Sequence, residues 1–142
     1  MTSDETLVGR RWERRLTLTR EAIVAFAEAA GDSNPLHHDD AFAAGTRFGG
    51  LIASGAHTVA LLMGFCASES SRLGPGVGLA FDFKLVGPAK PDVELIFAWT
   101  VVAAEASERP RGTVLTLEGS VADDDGRDIV RAAARVLRTD RL

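Results

Sequence analysis

The sequence contains one cysteine, Cys66, in 142 residues. A lone thiol cannot bridge within the chain, which excludes a disulfide-stapled secreted scaffold. No apolar run approaches the roughly 20 residues that a membrane-spanning helix needs. The opening MTSDETLVGR carries acids where a signal peptide carries bases and then an apolar block. A cytoplasmic protein without a membrane partner is expected. An excess of positive charge is also missing, since 16 Lys and Arg stand against 20 Asp and Glu for a net charge of −4. That balance argues against a nucleic-acid binder, which needs a basic face to neutralise phosphates. Metal-ligand patterns are missing too: neither H-x-H, H-E-x-x-H nor C-x-x-C occurs, so no metal is expected. Internal repeats and low-complexity segments are absent.

What is present suits one soluble domain over residues 1–142, with its core at about 10–138. Apolar residues make up 46% of the chain, and a chain of this length can bury roughly two-thirds of its unfolded surface without metal or disulfide support. The one basic cluster, RRWERR at 10–15, precedes the alternating Leu16-Thr17-Leu18-Thr19. It reads as the solvated side of an edge strand, the alternative being a landing site for an anionic cofactor tail.

Polar and apolar residues alternate from Arg11 to Thr19, which predicts a strand. Thr19 and Glu21 then start a helix whose apolar residues Ile23, Phe26, Ala27 and Ala30 follow helical spacing until Gly31. Asn34-Pro35 marks a loop, and a short helix is expected at about 39–44, closed by Gly45. After Gly49-Gly50, Ser54 can cap a helix running from about Gly55 to Arg72. Val59, Leu61, Leu62, Met63, Phe65 and Cys66 cover most of its circumference, so it should be enclosed. Four alternating stretches follow, around Phe81–Leu85, Leu95–Val101, Leu115–Val121 and Val130–Val136. Their connections, GPAKPD, EASERPRG and ADDDGR, read as hairpin turns. The expected fold is α+β: about five antiparallel strands wrapped around a long buried central helix.

The chemistry concentrates in GDSNPLHHDD, residues 31–40. A proline-stiffened Asx turn can bring Asp32 and His37 to one point, where a carboxylate and an imidazole can share a water and act as an acid/base pair. The alternative is structural: Asp32 bonds local amides and His37 sits at the surface. His38 is expected to face water with Asp39 and Asp40. Ser54 and Gly55 open the long helix, whose free first-turn N–H groups can meet a developing oxyanion, while glycine there also suits tight packing. His57 is expected to be a packed or pocket-edge residue and Cys66 plain core.

The string A-A-G-D-S-N-P-L-H (29–37), then Ala41-Phe42-Ala43, Arg47-Phe48-Gly49, Ile52-Ala53-Ser54-Gly55 and Phe81-Asp82-Phe83-Lys84-Leu85-Val86-Gly87-Pro88, resembles the MaoC-like dehydratases. That family includes the (R)-specific enoyl-CoA hydratases. The resemblance implies a hot-dog fold and a homodimer or dimer of dimers, with the active site near the subunit interface. It implies a substrate that is an acyl-CoA or acyl-carrier-protein thioester, and no cofactor. It makes Asp32 and His37 the catalytic pair for reversible water addition to a 2-enoyl thioester. Gly55, through its N–H, would hold the thioester oxygen, and Ser54 and Asn34 would lie against the substrate. Three positions depart from the family pattern: Ser54 where histidine is more common, Ala60 where several hydratases carry serine, and Lys90-Pro91-Asp92-Val93 in place of a P-G-D turn. The alternatives are a non-catalytic acyl-CoA-binding subunit and, further off, a thioesterase. The latter would need a carboxylate on the long helix, which has none before Glu69.

Overall fold

The computed structural model describes residues 4–142. Strand β1 (Arg11–Thr17) leads into helix α1 (Arg20–Ala29). Thr19 Oγ1 accepts from the N–H of Ala22, which caps α1 and separates it from the strand. A 3-10 turn at Pro35–His37, a one-turn helix α2 (Asp40–Ala44) and the long helix α3 (Gly55–Ser71) follow. Strands β2 (Gly76–Leu85), β3 (Glu94–Glu108), β4 (Arg111–Ala122) and β5 (Asp128–Arg138) complete one antiparallel sheet of order β1-β3-β4-β5-β2. Each expected element is present.

Two connections differ from the sequence reading. EASERPRG is mostly strand: β3 runs through Glu108 and β4 starts at Arg111, leaving only Arg109-Pro110 as the turn. Charged residues are compatible with strand there because these ends project beyond the core, where both faces meet water. GPAKPD is no hairpin. It joins β2 at one edge of the sheet to β3 near the other, because β2 pairs with β5 and β3 with β1 and β4. Turn composition reports where a chain bends; it carries no information about which strand lies next door.

The inner face of the sheet packs on α3. Trp99, Phe97, Val101, Leu115, Leu117, Val121 and Val130 are fully buried against Leu62, Phe65 and Cys66. Burying each large apolar side chain contributes about 1.5–3 kcal/mol. Trp99 Nε1–H also donates to the Leu62 carbonyl at 2.9 Å, tying the helix to the sheet's middle. Gly119 faces Trp99 in register, and a methyl group there would meet the indole ring at 2.6 Å. The fit of the tryptophan therefore depends on the missing side chain across the strand.

Within one chain α3 is covered on one side rather than all round. Thr58, Leu62, Phe65 and Cys66 recur at helical spacing on the buried side, whereas Met63 is exposed and small residues fill the rest of the open side. Five strands curl far enough to cover one face of a helix. On β1, Arg11 and Arg15 pair with Glu13 and Glu94 on the outer face, and Arg14 lies 4.5 Å over the Phe65 ring. The arginine cluster thus has local partners, as an edge strand's solvated side should.

Candidate active site

The loop after α1 owes its shape to how the helix stops. Gly31 takes a φ of +73°, open to glycine at little cost. Its N–H then donates to the Glu28 carbonyl at 3.1 Å, and that of Asp32 to the Ala27 carbonyl at 2.8 Å. This paired closure is a Schellman motif, and it fixes where Asp32 leaves the helix. Asp32 Oδ1 accepts from the N–H of Asn34 at 3.0 Å, an Asx turn, and Asn34 Oδ1 accepts from the N–H of Leu36 at 3.1 Å to cap the 3-10 turn. Pro35 follows an Asn34 already held extended at ψ 121°.

Those bonds carry His37 inward. It is buried, and its Nδ1 lies 2.7 Å from the Ile52 carbonyl. A carbonyl can only accept, so Nδ1 is the donor and carries the proton. In the neutral ring Nε2 is therefore the free acceptor. It faces Asp32 Oδ2 at 3.5 Å, too long for a direct hydrogen bond but short enough for one water to touch both atoms. The N–H of Ile52 donates to the Leu36 carbonyl at 3.2 Å, and that of Ala53 to the Ala89 carbonyl at 2.8 Å. The buried segment 51–54 is thereby laced between the loop and the crossover.

That segment ends in the cap of α3. Ser54 is buried, and its Oγ accepts from the N–H of His57 at 3.2 Å. The first-turn amides of Gly55 and Ala56 have no acceptor among the described residues. They stand at the positive end of a 17-residue helix. His37, Gly55, Thr58 and Leu85 line one hollow together with Asn34 and Arg47. Val86, Gly87, Pro88 and Ala89 of the crossover form another wall of it. Asp32 lines a second, more open hollow with Ser33 and His38, and its Oδ2 reaches toward His37, which lines the first.

Asp32, His37, Asn34 and Gly55 are thus gathered at one place, while the Ser54 side chain is engaged by the cap. Gly55 also serves packing: a methyl group on it would meet Leu85 Cδ1 at 2.3 Å. Leu85 ends the alternating stretch that begins at Phe81, yet it is 59% exposed and reaches the hollow. Sequence reasoning did not single out Thr58, Leu85 or the crossover as lining. Thr58 could have been found, being one helical turn after Gly55. The crossover could not, because its position follows from strand order.

His38 differs from expectation. It is half-buried, with Nε2 2.5 Å from the Asp32 carbonyl. Asp39 caps α2 through the N–H of Phe42, and Asp40 forms a two-pronged ion pair with Arg20 that holds its carboxyl below the usual range. His57 is buried and stacked on Phe26, with ring centroids 4.3 Å apart, and its Nδ1 has no partner among the described residues. Burial lowers its pKa. Cys66 is buried core, its thiol pushed up to about 11 by desolvation.

A five-stranded antiparallel sheet packed on one long helix, with an Asp/His loop beside that helix's N-terminus, defines the hot-dog class. Within that class, the MaoC like domain model matches residues 5–118, and the chain belongs to that family. A MaoC-like dehydratase from Rhodospirillum rubrum superposes with a TM-score of 0.79 at 29% identity, over 95% of this chain and 94% of that one. The (R)-hydratase from A. caviae involved in PHA biosynthesis has the same fold, with a TM-score of 0.77 at 24% identity over 93% and 96% of the two chains. A 3-hydroxybutyryl-CoA dehydratase from Methylorubrum extorquens is 44% identical over 59 residues, 42% of this chain and 35% of that protein. The match therefore spans about a third of that relative's length.

Proposed function

We propose that this protein is a hydro-lyase that adds water reversibly to a trans-2-enoyl thioester of coenzyme A or an acyl carrier protein, giving the (R)-3-hydroxyacyl thioester. The observation that carries this reading is the approach of Asp32 Oδ2 to His37 Nε2 at 3.5 Å, beside the open first-turn amides of α3. Both atoms are acceptors when Asp32 is ionised and His37 neutral. A water between them would point one hydrogen at each and leave an oxygen lone pair for C3 of the substrate. As that oxygen bonds to C3, charge moves to the thioester oxygen, where the Gly55 N–H and the helix dipole would receive it. The proton taken by the pair then goes to C2, so one water is consumed and no other reactant is needed. The hydratase and dehydratase names carried by related proteins favour this reaction class.

The substitutions Asp32→Asn and His37→Ala should each lower hydration of a short trans-2-enoyl-CoA by at least about a hundredfold, followed as loss of absorbance at the conjugated double bond. Both variants should stay folded, with a cooperative urea transition, although His37→Ala loses its bond to the Ile52 carbonyl and should unfold at a lower urea concentration. Near-normal turnover by either would sink the reading.

We also propose a homodimer joined edge to edge through β2. Among the described residues both edge strands, β1 and β2, have one unpaired side, but β1 exposes Arg11, Glu13 and Arg15 while the first half of β2 exposes Val77 and Leu79, with Asp82 and Lys84 exposed only further along. Charged residues guard an edge against pairing, and an apolar edge invites it. Leu85 and Val86, at the end of β2, line the hollow, so that interface would adjoin the site.

A further inference from the structure

We infer that His38 is a positioning residue that holds Asp32 in its working orientation by donating Nε2–H to the Asp32 carbonyl. This rests on the role proposed above for Asp32. The contact is short at 2.5 Å, and the carbonyl can only accept, so the imidazole must carry its proton on Nε2. Asp32 is then held at three of its four polar atoms. Its N–H is bound by the Ala27 carbonyl, its Oδ1 by the N–H of Asn34, and its carbonyl by His38, leaving Oδ2 to face His37.

Of these restraints, the carbonyl bond alone comes from outside the helix end and the Asx turn. It stops the peptide between Asp32 and Ser33 from rotating. Rotation there would move the N–H of Asn34 off Oδ1 and release the carboxylate. His38 is itself fixed, since its N–H donates to the Pro35 carbonyl at 3.2 Å and the following N–H of Asp39 donates to the same oxygen at 2.9 Å. The adjacent histidines thus have opposite tautomers and different tasks: His37 keeps Nε2 free for the water, and His38 protonates Nε2 to brace the backbone. A misplacement near 1 Å at a reacting group can cost on the order of a hundredfold in rate.

The test compares His38→Ala with His38→Gln, whose side-chain amide can offer an N–H at nearly the reach of Nε2. With a short trans-2-enoyl-CoA, His38→Ala should lower kcat by roughly tenfold or more while KM stays within about twofold. His38→Gln should recover most of kcat. Adding His38→Ala to Asp32→Asn should cause little further loss, because the histidine acts through that aspartate. Unchanged kcat in His38→Ala, or equal losses in the Ala and Gln variants, would overturn the inference. An active Asp32→Asn would instead overturn the reading of Asp32 itself. A long-range 15N–1H spectrum of the imidazoles reads the contact without turnover: at neutral pH His38 should be the Nε2–H tautomer, and an Nδ1–H tautomer would refute its bond to Asp32.

Discussion

His57 stands in the first turn of α3 with its ring flat against Phe26 and its Nδ1 buried without a partner among the described residues. Protonating it would place a charge in a largely buried site, so burial depresses its pKa below the ordinary 6.5. The sign follows from linkage. The unfolded chain protonates near pH 6.5 and the folded chain only at lower pH, so the stability gained from the neutral ring is complete above 6.5. It is lost as pH falls through the lowered folded value. Urea unfolding from pH 7.5 to 5 should show wild type losing stability faster than His57→Leu, which has nothing to titrate at that position. Parallel curves would mean that His57 is solvated. In the loop, the residue scale also explains why five ionisable groups in ten residues form only one reactive pair. Asp39 is used as a cap, Asp40 is paired with Arg20, and His38 is turned to the backbone.

Elements matter through what they leave room for. β4 contributes Gly119 opposite Trp99, and that vacancy lets the indole lie flat enough for its N–H to reach the Leu62 carbonyl. Gly119→Ala would put a methyl carbon 2.6 Å from the ring, forcing the tryptophan to shift and straining its bond to α3. A loss of about 1–3 kcal/mol is expected, read as a lower urea midpoint with an unchanged slope. Wild-type stability would show that the ring has slack in this core. The helix α3 itself was plain in the sequence, from its Ser54 start to its glycine-proline stop, because capping and hydrophobic run are local. Which side of it would be covered was not. The small residues on its open side are visible in the sequence, but their exposure depends on where five strands end.

The molecule as a whole has two unlike edges, β1 with charges along its exposed side and β2 apolar over Val77 and Leu79. If β2 is the dimer edge, Leu79→Lys should shift the protein to monomer at micromolar concentration by light scattering, with a smaller effect from a lysine placed on β1. It should also reduce hydration activity, since the end of β2 borders the hollow. A dimer unaffected by Leu79→Lys would locate the interface elsewhere. No helix among the described residues is long and apolar enough to cross a membrane. At this scale the sequence reading went astray over the connection from β2 to β3. A segment that looked like a hairpin turn crosses the sheet and brings Pro88 and Ala89 against the site.

By itself the sequence determined which elements form, the ends of the helices, and the Asp32–His37 loop. Each of these rests on interactions among residues close in the chain: a capped helix, a left-handed glycine, an Asx turn before proline. Tertiary structure alone decided the rest. It chose the strand order that turns 86–89 into a wall of the hollow, gave His37 its tautomer through the distant Ile52 carbonyl, and brought Leu85 onto Gly55. Those contacts join residues far apart in sequence, and no local pattern records which of them will meet.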